Sequence, residues 1–212
     1  MQALSTLSSP LAPAPSRRLL LALALPTALS IAAAALIVAC PQALAQTAAP
    51  ATSPATQAPD PELAAALARF NEAGPANHAA IDDAAQRFTQ LSAARPQDPV
   101  LRAYAGAATA MRAQTTWLPW RKMGYAEDGL AQIDKALAQL TAAHDAPLHR
   151  GVPAVLETRL IAATTFLALP AMFNRGERGR ALLAQVQSSP LLAGSPAPFQ
   201  AEVQRRAQGA AK

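Results

Sequence analysis

The chain has 212 residues, 51% of them apolar and 15% charged, with 19 prolines and a single cysteine. That length has room for one domain plus a targeting or linker segment. One cysteine excludes a disulfide framework within the chain, and a net charge of +5 is too small to argue for a nucleic-acid partner.

Residues 1–45 read as an export signal. Arg17 and Arg18 precede an uncharged apolar run from Leu19 to Ala39, the n-region and h-region pattern of a secretory signal peptide. Three endings are open. Ala43-Leu44-Ala45 offers small residues for cleavage before Gln46, just after the helix-breaking Pro41. Ile37-Val38-Ala39-Cys40 resembles a bacterial lipobox, in which Cys40 would be lipidated and become the first residue. The run also approaches the about 20 apolar residues that span a bilayer, so it could persist as an uncleaved anchor. Each ending exports the residues beyond Gln46, and the expectation is a periplasmic protein or a membrane-anchored lipoprotein facing the periplasm. Loss of Arg17 and Arg18 would lower the net charge to +3.

Residues 46–59 are Pro, Ala, Thr, Ser and Gln without charge before the domain boundary at Asp60. Such a stretch lacks the apolar surface to order itself and reads as a linker. The domain is expected over 60–212. Asp60-Pro61-Glu62 gives an N-cap, a first-turn proline and a first-turn acid. Helical spacing then recurs: Leu63, Leu67 and Phe70; Ile81, Ala84, Phe88 and Leu91; Leu101, Tyr104, Ala108 and Met111; and Ala126, Leu130, Ile133, Leu137 and Leu140. A fifth helix is predicted near Ala154 to Leu169, with Leu156, Leu160, Ala163 and Leu167 apolar and Glu157 and Arg159 left to solvent. A sixth is expected around Arg178 to Gln187 and a seventh around Pro198 to Ala207, its proline in the first turn. Period-2 alternation is absent, so the fold class is all-α with about seven helices.

The chain also repeats itself. QLSAARPQDP at 90–99 returns as QLTAAHDAP at 139–147, and VLRAYAGAATA at 100–110 aligns with VLETRLIAATT at 155–165. The implied unit is a helix ending in Q-L-S/T-A-A, a turn, and a helix opening with V-L.

Ala84, Phe88 and Pro96 stand where a second helix would keep a small residue, an aromatic and a closing proline. Gly106 follows as a small residue of the next first helix, and Gly129, Ile133, Ala136 and Leu137 repeat the second-helix pattern. In these positions the chain resembles the tetratricopeptide repeats, best over 81–140 and loosely over 80–200. The resemblance implies antiparallel hairpins stacked as a short solenoid, with small residues at about 8–10 Å helix crossings and a concave face that binds protein. Leu91 and Thr141 depart from the pattern, as do the helices after Ala171. Ala84 and Gly129 are 45 positions apart, about 11 more than a regular array of about 34 would give.

That excess falls at TTWLPWRKMGY, residues 115–125, which holds both tryptophans. Pro119 is expected to stop a helix and Gly124 to permit a turn, making an inserted connection. Two readings stay open: the indoles fold back over alanine-lined helices, or Trp117, Trp120, Arg121 and Lys122 project as an aromatic and cationic patch for a peptide, glycan or headgroup layer. With Tyr104, these four are the candidate partner-binding residues, and Cys40 is the candidate lipidation site.

No catalytic constellation emerges, and no cofactor or metal is expected. His144, Asp145 and His149 are too loosely spaced for a specific metal loop. Asp82-Asp83 and Glu127-Asp128 are adjacent in sequence but project about 100° apart on a helix, and both pairs read as acids favouring the early turns of helices. Arg175, Arg178 and Arg180 follow an apolar Pro170, Met172 and Phe173 and are expected to pair with Glu177 and acids of neighbouring helices, with Phe173 docked below. The expected function is an exported, non-enzymatic scaffold or adaptor binding a protein or peptide in the bacterial cell envelope. The alternative is a lipid-anchored structural accessory lipoprotein of an envelope assembly, tethered through its N-terminus.

Overall fold

Asp60 does what its place before Pro61 predicts: its Oδ1 accepts hydrogen bonds from the Glu62 and Leu63 amides at 3.0 and 3.2 Å and caps α1, Pro61–Glu72. The computed structural model describes residues 60 to 210. The signal segment, the linker and Cys40 lie outside the described residues. The Leu63 amide, opposed by burial and aided by Arg95, holds the Asp60 carboxyl below its ordinary value.

Asn77 caps α2, His78–Ala94, and Asp98 caps α3, Pro99–Met111, whose first residue is again proline. A 3₁₀ turn at Arg112–Gln114 leads to α4, Pro119–Ala138. After a second 3₁₀ turn, Ala142–Asp145, come a short β1, Pro147–His149, and β2, Val152–Pro153. They pair antiparallel, with His149 opposite Val152. Helices α5, Ala154–Ala168, α6, Gly176–Gln187, and α7, Ala197–Ala210, complete the described residues, which are all-α apart from that hairpin.

Helix α3 packs on α2, α4 and α5, and α5 packs in turn on α6. One core cluster joins α1, α2 and α3 through Leu63, Leu67, Phe88, Leu91 and Leu101; a second joins α4 to α7 through Ile133, Leu156, Phe166, Leu183, Val186 and Val203; and a small third, Ala84, Ala85 and Ala108, lies between α2 and α3. Most side chains predicted by helical spacing are buried, and Phe70, Met111, Leu137, Leu140 and Leu167 are half-buried. Burial of apolar area at roughly 25 cal/mol per Å² is the stabilising force in a unit without disulfides.

Gly106 and Gly129 mark where α3 and α4 touch backbone to backbone. A Cβ added to Gly106 would lie 2.7 Å from the Gly129 carbonyl oxygen, and one added to Gly129 would lie 2.5 Å from the Gly106 carbonyl oxygen. Glycine at both positions is therefore a packing requirement of the crossing.

Three expectations are corrected. Pro119 begins α4 instead of ending a helix, and Gly124 lies within it, so Glu127 and Asp128 sit beyond its first turn, where the helix dipole does little for them. The second Q-L-T-A-A does not continue α4: the helix ends at Ala138, and the Thr141 amide donates to His144 Nδ1 at 3.0 Å in a local capping box that opens the separate 3₁₀ turn Ala142–Asp145. The β hairpin arises because Arg150 and Gly151 both take positive φ, 52° and 72°, the backbone that a two-residue hairpin turn requires.

Candidate functional site

Helix α5 is covered on almost every side, with Leu156, Thr158, Leu160, Ala162 and Ala163 all buried. Glu157 was expected in solvent, but with no exposed face to occupy it is only 2% accessible. A carboxylate so placed needs partners. The Tyr104 hydroxyl of α3 donates to Glu157 Oε1 at 3.0 Å, and Arg150, held at the hairpin turn, bridges both, with Nη2 donating to the Tyr104 oxygen at 3.1 Å and pairing with Glu157. Glu157 Oε2 is buried without a hydrogen-bond partner. Burial, and then the Glu157 charge, push the Tyr104 phenol far above its ordinary value. For Arg150, desolvation works to lower the value, but the Tyr104 and Glu157 charges outweigh it and raise it. The phenol is thus a fixed hydrogen-bond donor.

This triad floors one of three adjoining hollows, of about 350, 500 and 600 Å³. All three share Thr164 and Arg206, and together they are walled by the C-terminal end of α1, by α3 and α5, and by α7. The Phe70, Phe88 and Tyr104 rings stiffen the α1 side, with Phe88 stacked on Tyr104 at 4.8 Å and Phe70 edge-on to both. On α7, Arg205 and Arg206 both pair with Glu202. The adjoining hollows are open and have mixed aromatic, aliphatic and charged walls.

The residues singled out in sequence do not form one site. Tyr104 is 6% exposed and belongs to the groove floor. Trp117 and Trp120 are 82% and 68% exposed, and Arg121 and Lys122 are exposed beside them in the first turn of α4. The indoles do not fold back over the helices, and none of these four lines the three hollows.

The remaining candidates are engaged locally. His149 Nε2 lies 2.6 Å from Asp98 Oδ2, whose Oδ1 caps α3, whereas His144 meets Thr141. Asp82 pairs with Arg112, and Asp83 with Arg69 and Arg87, so the adjacent acids do point apart. Arg175 and Arg178 converge on Asp134 and cover the Phe166 ring, Arg180 pairs with Glu177, and Phe173 packs on the core, as expected of that basic segment. Among the described residues no three His, Cys, Asp or Glu side chains gather to hold a metal ion.

Sequence reasoning missed Arg150 and Glu157. The available signal was a lone acid and a lone base, Glu157 and Arg159, in an otherwise uncharged run from Val152 to Asn174, where a charge is either solvated or paired in the interior. No protein-family model, curated protein or solved structure matches the chain.

Proposed function

We propose that the chain is an exported helical-hairpin adaptor, similar in plan to tetratricopeptide proteins, that binds an extended segment of a partner protein in the cell envelope. The observation that carries this reading is the groove walled by α1, α3, α5 and α7 and floored by Tyr104, Glu157 and Arg150. The close crossing at Gly106 and Gly129 fits a repeat of hairpins with small residues at their contacts. Its role is binding and not catalysis. Export rests on the residues before Gln46, and the intact mass of the mature protein separates cleavage after Ala45 from lipidation at Cys40.

The test is a photoreactive residue at Thr164, where the hollows meet, and a second at Asp128, exposed on α4. The reading expects an envelope protein crosslinked from position 164 alone, through one contiguous peptide, and lost when Arg206→Glu reverses the wall. Equal capture from both positions, or none from 164, would remove the groove from consideration.

A further inference from the structure

Two indoles, each more than two-thirds exposed, stand three residues apart where the chain enters α4, with Arg121 and Lys122 immediately after. Isolated exposed apolar residues need no account, but paired tryptophans flanked by cations do. Other cations near this turn are used internally: Arg112 pairs with Asp82 and lies 4.5 Å over the Tyr125 ring. Arg121 and Lys122 form no ion pair among the described residues. The turn's threonines are also occupied, since Thr115 donates to the Arg112 carbonyl and Thr116 accepts from the Leu118 amide. The indoles line none of the hollows that would orient a peptide.

What remains is a pair of exposed amphipathic rings with two neighbouring cations that form no ion pair among the described residues. Indoles favour the zone between headgroups and acyl chains, and lysine and arginine favour anionic headgroups. We propose that the turn into α4 docks the protein onto an anionic phospholipid surface, with Trp117 and Trp120 entering the headgroup boundary and Arg121 and Lys122 facing lipid phosphates. This surface is separate from the groove, so either can fail without the other.

The chain supplies its own reporter, because Trp117 and Trp120 are its two tryptophans. The described residues carry their own buried core, so a chain beginning at Gln46 serves, without the apolar run. It is mixed with vesicles of phosphatidylglycerol and phosphatidylcholine, or of phosphatidylcholine alone. The expected result is a blue shift of emission on the anionic vesicles, quenching by brominated acyl chains, and reversal by salt. Arg121→Gln with Lys122→Gln should weaken binding by about fivefold per cation removed, with unchanged circular dichroism. Trp117→Ala with Trp120→Ala should stop co-sedimentation. Vesicles bound with emission unmoved, an equal shift on phosphatidylcholine, or a shift produced by soluble peptidoglycan fragments but not by vesicles would each overturn the proposal.

Discussion

Two glycines of the same helix should respond to alanine in opposite directions. An added Cβ at Gly129 would lie 2.5 Å from the Gly106 carbonyl oxygen and 2.6 Å from the Ala110 amide nitrogen, both backbone atoms that cannot rotate away. Forcing α3 and α4 apart to make room costs about 3 kcal/mol, at the upper end of ordinary overpacking. The intrinsic gain of alanine over glycine in a helix returns about 1 kcal/mol, leaving a net loss of about 2 kcal/mol. For a domain of this size that lowers Tm by about 4–8 °C. At Gly124 nothing lies within 4 Å of the added Cβ, so only the intrinsic gain applies and Tm should rise by about 2–4 °C. Thermal melts followed by circular dichroism at 222 nm, supported by urea unfolding, read both variants against the parent. A Gly129→Ala protein as stable as the parent would refute the close crossing. Equal losses at both positions would refute the argument that space, and not glycine itself, decides the sign.

Tyr104→Phe removes a hydrogen bond to a buried carboxylate and should cost about 1.5–3 kcal/mol in chemical denaturation. Because folding raises the phenol's value, Tyr104 contributes stability that is intact below the unfolded value of about 10 and declines as pH rises above it. The parent should lose stability above about pH 10 more steeply than the variant. An ultraviolet pH titration should show a tyrosine of the parent that resists ionisation and is missing from the variant's titration. Asp98→Asn keeps an oxygen to cap α3 but weakens the contact to His149, whereas Asp98→Ala loses both. The alanine variant should lose about 2–4 kcal/mol and the asparagine variant clearly less, and equal losses would mean that the cap contributes nothing.

The helices were legible because their signals are local. Asp60, Pro61 and Glu62 declare a helix start within one turn, and the 3.6-residue spacing of Ile81, Ala84, Phe88 and Leu91 needs no knowledge of the rest of the chain. Gly106 and Gly129 could be marked as crossing residues for the same reason, through their place on a predicted face.

The candidate site was not legible in this way. Tyr104 and Glu157 are 53 positions apart, and Glu157 looked like a solvent residue because nothing within four positions showed that α5 would be covered on nearly all sides. The tryptophans stayed open between two readings, burial by size and apolarity or projection, and only the folded chain, in which α3 and α4 meet through glycine and alanine backbone and both indoles stay exposed, decided for projection. Local hydrogen bonding and side-chain periodicity thus determined where helices form and which faces turn inward. Which charge is paired in the interior and which ring remains in water was decided by packing, because desolvation depends on neighbours that only the folded chain brings together.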